Sequence, residues 1–267
     1  IMKLMAVFAH PDDEAFGMGG TLARYGAAGH EVYLVMATRG EAGLIADPAA
    51  ATAANLPYVR ELELRCACEI YGIQPPRFLD YLDGQLPIVN QGQAVGKLVR
   101  ILRELRPDVV VTFGPDGIYG HYDHIAVHRW TSISVKLAAE RSCFPDPRPD
   151  ACESHQVKKF YYNVISKAQV DSMTDGDPLA GVMMDGVPFP FTGYRPEEIT
   201  TVIGVGNYAE TKLRGIMCHL TQVGPGGPYA DMPEDAREKL WTNKESFILA
   251  HSTVGYPEKL ETDLFAG

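Results

Sequence analysis

The stretch KLMAVFAHPDDEAFGMGGTLARYGAAGHEVYLVMA, Lys3 to Ala37, carries the architecture of the chain. Lys3 to Ala9 is an apolar run of strand length, GGTLARYGAAGH reads as a helix ending near Gly29, and Glu31 to Ala37 is a second apolar strand. A strand, a helix and a strand in this order make a βαβ unit, with parallel pairing and a right-handed crossover expected. Between the first strand and the helix stand His10, Asp12, Asp13 and Glu14, a concentration of charge where a buried strand ends.

The alternation continues downstream. A loop from Thr38 to Pro57 leads to a helix over Tyr58 to Gly72 and a short strand near Arg77 to Leu82. Ala94 to Arg106 is amphipathic and helical, Asp108 to Phe113 is a β-branched strand, and Gly114 to Gly120 is a glycine-rich loop. The pattern predicts an α/β fold, a Rossmann-like, mostly parallel, doubly wound sheet. Beyond it the order loosens into an irregular α+β C-terminal lobe. Pro145 to Cys152 reads as a loop and Asp175 to Pro196 is rich in Gly and Pro. Lys158 to Ser166 and Thr200 to Val205 read as strands, Tyr208 to Gln222 as a helix and Gly224 to Gly227 as a turn. No repeat or long linker divides the chain, so one domain over 1–267 is expected, with 1–140 as its core and 141–267 as a dependent lobe around a substrate pocket.

The formal net charge of −10, without a Lys/Arg run, argues against a nucleic-acid partner. No apolar run is long enough to span a bilayer, and the N-terminus enters a strand without a charged leader. The expectation is therefore a cytoplasmic protein without a membrane partner, its oligomeric state left open. Cys66, Cys68, Cys143, Cys152 and Cys218 are odd in number and lack C-x-x-C spacing, which argues against a disulfide framework or a thiolate zinc site. Cys66 and Cys68 are read as ordinary helix residues.

In strand order 3-2-1-4 the loops after strands 1 and 4 diverge around a crevice at the carboxyl ends of the strands. His10, Asp12 and Asp13 follow strand 1, and GIYGHYDHIAVH, Gly117 to His128, follows strand 4. His10, Asp13 and His124 can supply two imidazoles and a carboxylate, the kind of three-ligand set that leaves a zinc ion one open position. Asp12 and His121 would remain for proton transfer and charge stabilisation. Each residue also has a plainer use: either aspartate can cap the following helix, and His124 or His128 can be hydrogen-bonded on an amphipathic helix. It is the joint occurrence after two adjacent strands that favours ligation.

These residues resemble a known family. AHPDDE, Ala9 to Glu14, is similar to the signature of the LmbE/PIG-L family of zinc-dependent N-deacetylases. GHYDH, Gly120 to His124, resembles its second metal motif, with Tyr122 standing where proline is usual. TRGEAG (Thr38 to Gly43), Arg60 with Glu63 and Ala67, GPDG (Gly114 to Gly117), Lys212 with His219 and Gln222, and ETDLFAG (Glu261 to Gly267) have family-like placement.

The resemblance implies one Zn²⁺ per chain on His10, Asp13 and His124, other divalent transition metals fitting the same donors. It implies Asp12 as general base and His121, charged and oriented by Asp123, as oxyanion stabiliser with Tyr119 as a further donor. Arg60 and Arg39 are candidates for substrate hydroxyls or for pairing with Glu61, Glu63 or Glu41. His219 would line the pocket or brace the lobe, Glu14 would support the helix start, and His128 would be structural. The implied substrate is a small N-acetylated amino sugar of the N-acetylglucosamine type. An amidase acting on a thiol conjugate and a metal-dependent phosphohydrolase are the alternatives, the latter disfavoured because imidazole ligands suit zinc better than Mg²⁺.

Overall fold

The computed structural model describes residues 1–145, 153–174, 176–177, 179, 181–184, 186–226 and 244–266. Most of the loop expected over Pro145 to Cys152, Gly227 of the expected turn, Gly267 and parts of the Gly/Pro-rich stretch lie outside these residues.

Strand β1 (Lys3–Phe8) is followed by α1 (Asp13–Ala27), β2 (Glu31–Met36), α2 (Leu56–Tyr71), β3 (Arg77–Phe78), α3 (Gln91–Leu105) and β4 (Val109–Phe113). Then come a single turn α4 (Gly117–Gly120), α5 (Tyr122–Ala138), β5 (Lys159–Ser166), α6 (Lys167–Thr174), β6 (Gly181–Met184), β7 (Val187–Pro190), β8 (Gly193–Tyr194) and β9 (Thr201–Gly204). The described elements end with α7 (Ala209–Cys218), α8 (Leu220–Val223) and β10 (Lys244–Ser252).

The main sheet runs β3-β2-β1-β4-β5-β10-β9, with β8 beside the end of β5 and β6-β7 as a separate antiparallel pair. From β3 to β5 every pairing is parallel, and β10 is antiparallel to both β5 and β9. The order 3-2-1-4 expected from sequence is therefore present, and β1 and β4 are neighbours. Their residues are almost wholly buried because helices cover both faces.

Three features differ from the expectation. Helix α1 starts at Asp13, several residues before the glycine cluster, because those glycines are sites of close approach inside the helix: a Cβ on Gly20 would lie 2.6 Å from Val205 Cβ. Strand β10 was not anticipated. Its Glu245 is buried where an apolar residue would mark the pattern, and it accepts from Gly20 N–H, Thr21 N–H and Lys212 Nζ. Third, Cys66 of α2 and Cys218 at the end of α7 form a disulfide, correcting the reading of Cys66 as an ordinary helix residue. Cys68 is buried and free. The two bonded cysteines are 152 residues apart, so only the packing of α2 on α7 brings them together.

The C-terminal motif is explained by anchoring. Glu261 takes Lys159 Nζ, Tyr161 Oη and Thr201 Oγ1, while Asp263 accepts from Tyr25 Oη, fastening the tail to the sheet and to α1.

Candidate active site

Two strand ends build the site. After β1 the backbone bends sharply at Asp12, which has φ 108°, and Asp13 opens α1. Asp13 Oδ2 accepts from Ala9 N–H at 3.2 Å and His10 N–H at 2.7 Å, which leaves Oδ1 facing His124 Nε2 at 3.2 Å. After β4 the turn passes through Ile118 at φ 72°, and α5 then carries Asp123 and His124 inward on its first turn. Tyr122, at the position usually proline in the resembled family, opens α5 with its ring exposed, and the histidines on either side still face the cluster.

The ligand geometry can be tested against a metal. His124 Nε2 is 3.4 Å from His10 Nδ1 and 3.2 Å from Asp13 Oδ1. Tetrahedral coordination with bonds of about 2.0–2.1 Å sets donor atoms about 3.3–3.4 Å apart, so two imidazoles and a carboxylate at these separations fit a divalent transition metal. His121 is adjacent: donor atoms of His10, His121 and His124 also lie within 4.8 Å of one another.

The other nitrogen of His10 sets its tautomer. His10 Nε2 lies 2.9 Å from Asp83 Oδ1 and 3.2 Å from Asp123 Oδ2, so Nε2 carries the proton and Nδ1 is left to ligate. Asp123 is fully buried, and its carboxylate also accepts from Gly84 N–H and Leu86 N–H. This corrects the expected pairing, because the Asp123 carboxylate belongs to His10 and not to His121. What Asp123 gives His121 is its backbone N–H, which donates to His121 Nδ1 at 3.2 Å. The surroundings also work against the expected positive charge of His121: burial, then the neighbouring His124 and His10, bring its pKa down to about 4. The neutral ring with Nδ1 occupied as acceptor carries its proton on Nε2.

Burial would lower the pKa of His10, but hydrogen bonds to Asp123, Asp13 and Asp83 outweigh it and hold the pKa well above the ordinary value. Burial would raise Asp13, yet the charges and hydrogen bonds of His124 and His10 hold it well below the usual carboxylate range. Asp12 differs from Asp13: burial pushes it up to about 7 against the opposing charge of Arg60. Among the described residues its side chain has no capping hydrogen bond, although its backbone carbonyl accepts from Ala15 and Phe16. Asp12 therefore sits at the helix start with its carboxylate available for chemistry.

The remaining candidates divide. Arg60 is buried and donates to Gly40 O, Pro11 O and Asp12 Oδ2, the last at 3.2 Å, so it is turned toward Asp12 and not toward a glutamate. Gly40, with φ 69°, makes room for it, since a Cβ there would lie 2.2 Å from the guanidinium. Arg39 pairs with Glu61 and Asp80 and lies over the Phe78 ring. His219 is fully buried, with Nε2 on Glu14 Oε1 at 2.8 Å, so it braces the interior and does not line a surface. The Tyr119 ring stands edge-on to His121 and His124 at centroid distances of 5.7 and 5.5 Å. His128 Nδ1 bonds Phe113 O. Asp83 was missed in the sequence; it follows β3 at the same carboxyl edge, and the crevice argument applied to strands 1 and 4 reaches it as well.

Comparison with known proteins supplies independent evidence. The model of the PIG-L family, described as GlcNAc-PI de-N-acetylase, matches residues 5–134. A 1D-myo-inositol 2-acetamido-2-deoxy-alpha-D-glucopyranoside deacetylase from Streptomyces griseus is 35% identical over 99% of this chain and 88% of its own. A mycothiol S-conjugate amidase from Streptomyces coelicolor is 30% identical over 100% of this chain and 97% of its own. Among solved structures, N,N'-diacetylchitobiose deacetylase from Pyrococcus horikoshii shares the fold with a TM-score of 0.67 at 19% identity, covering 96% of this chain and 86% of that one. With both motif loops at adjacent strand ends and full-length relatives above 30% identity, the chain belongs to the PIG-L family.

Proposed function

We propose that the protein is a zinc-dependent hydrolase that removes the N-acetyl group from an N-acetylglucosamine-type substrate. The observation that carries this reading is the convergence of His10 Nδ1, His124 Nε2 and Asp13 within 3.2–3.6 Å, with Asp12 next to Asp13 in the chain and its carboxylate held by Arg60 at 3.2 Å. The inositol-linked amino-sugar deacetylase that matches nearly the whole chain supports the substrate class.

His10, Asp13 and His124 would hold the metal, and two nitrogens with one carboxylate suit Zn²⁺ above Mg²⁺ or Ca²⁺. When bound, it supplies Lewis acidity at the amide carbonyl and at the attacking water. Asp12 takes the water proton as general base, its carboxylate aimed by Arg60, and can return that proton to the departing amine. His121, neutral and protonated on Nε2, donates to the tetrahedral oxyanion without bringing a second charge into the site, and Tyr119 adds a donor from the same turn. Asp83 and Asp123 hold the His10 ring.

Residues 141–267 form the substrate-pocket lobe in this reading. Tyr194 donates to Asp116 in the loop after β4, Thr192 N–H donates to Ile118 O at 2.7 Å, and the Phe191 ring meets Tyr119. Hydrolysis of a thiol-conjugate amide is a second reading, favoured by the full-length match to an S-conjugate amidase. Acetate and free-amine release from the inositol-linked N-acetylglucosaminide, measured beside cleavage of a thiol conjugate, tests both. Acetate release at the higher kcat/KM supports the deacetylase, and the reverse ranking replaces it with the amidase.

A further inference from the structure

Glu14 and His219 are both fully buried, bonded to each other, and unused in the chemistry above. An apolar pair of similar volume would serve the core at least as well, since burying charged or strongly polar groups costs solvation that their contact does not reliably recover. A negative charge at a helix start explains an acidic residue there, but it does not explain a histidine brought from the junction of α7 and α8 to meet it.

The second oxygen of Glu14 supplies the reason. Glu14 Oε2 accepts the backbone N–H of Asp12 at 3.0 Å, while Oε1 is held by His219 Nε2 at 2.8 Å. Asp12 is a non-glycine residue at φ 108°, a conformation that L-residues keep only when their surroundings enforce it. His219 is itself fixed on both sides by α2: Cys218 is bonded to Cys66, and Thr221 donates its N–H and hydroxyl to Glu63. The same helix contributes Arg60 to the Asp12 carboxylate.

We propose that Glu14 and His219 are a positioning pair for Asp12, holding its backbone so that the carboxylate meets the attacking water. The proposal rests on the assignment of Asp12 as general base. Its chemistry is one of geometry: an acceptor for the Asp12 N–H, kept in register by a buried donor.

The test uses the full-length, metal-loaded enzyme and compares Glu14→Leu, Glu14→Gln, His219→Leu and the double Leu variant. Glu14→Leu is expected to lower kcat at least about 20-fold with KM within about threefold, because misplacement of a reacting group is felt in the transition state. Metal content should stay at one equivalent. Glu14→Gln should recover kcat to within about fivefold of wild type, since its amide oxygen still accepts from Asp12 and its NH₂ can face His219 Nε2 after a tautomer change. Nδ1 of His219 has no partner among the described residues and is able to take that proton. The double variant should be no worse than Glu14→Leu by more than about twofold, as two members of one pathway are not additive. His219→Leu leaves Glu14 in place and is read for the same loss of kcat should Glu14→Leu fail to fold. Wild-type kcat in either Leu variant, or a Glu14→Gln enzyme as impaired as Glu14→Leu, overturns the proposal. Near-normal turnover in Asp12→Asn would instead defeat the base assignment beneath it.

Discussion

Asp123 Oδ2 lies 3.2 Å from His10 Nε2, while the ring of His121 takes the Asp123 backbone N–H in place of its carboxylate. A residue that the motif places between two histidines therefore acts on a third, from the other strand end. Carboxylates in this position fix the tautomer of a metal-ligating imidazole, and their loss typically costs about 10–100-fold in metal affinity. Asp123→Asn is accordingly expected to weaken metal binding by that factor, measured by competition with a chromophoric chelator. Unchanged affinity would remove Asp123 from the support of His10.

Asp12→Asn is expected to keep its metal and lose about 10²–10⁴-fold in kcat, the usual loss for a general base. The asparagine retains the size and the contact to Arg60 but cannot accept a proton. Single-turnover acetate release with metal content measured on the same sample separates this result from loss of the ion.

His121→Ala should lower kcat far more than it raises KM, because the donated hydrogen bond strengthens only as the oxyanion forms. One preorganised donor is typically worth about 3 kcal/mol, or roughly a hundredfold in rate. Equal effects on both constants would mean that His121 binds the ground state.

Much of this was legible in the sequence, for a physical reason: buried parallel strands are apolar runs, and charge at their carboxyl ends has to be explained. Strands β1, β2 and β4, the 3-2-1-4 order and the convergence of His10, Asp13 and His124 followed from that. The partners of those residues did not follow. Asp123 stands two positions from His121, yet a helical turn sends its side chain to His10. Strand β10 was hidden by the buried Glu245, whose charge is matched by a lysine distant in sequence, and the Cys66–Cys218 bond exists only through helix packing. For Arg60 the sequence left substrate hydroxyls and a glutamate partner both open, because nothing local showed that Gly40 and Pro11 would offer it carbonyls.

Away from the site, His128 and His155 have pKa values lowered from 6.5, in both cases first by burial. Below about pH 6.5 the unfolded chain then binds more protons than the folded one, so their contribution to stability is complete above that pH and is lost as pH falls through the folded values. His10 and Asp12, whose pKa values are raised, act in the opposite sense over the same range, so the test is a difference between variants. The thermal midpoint of His155→Gln should gain on that of wild type as pH falls from 7 to 5, the variant having removed one group that the unfolded chain protonates first. A difference that does not change with pH would mean that His155 titrates alike in both states.

The most direct measurement of the whole account is acetate release from an N-acetylglucosaminide by enzyme stripped of metal and then titrated with Zn²⁺, in wild type and His124→Ala side by side. The expected result is no release from stripped wild type and recovery that saturates at one equivalent of metal. His124→Ala should fail to recover at that stoichiometry. Release that persists without metal, or a His124→Ala enzyme that titrates as wild type does, would contradict it.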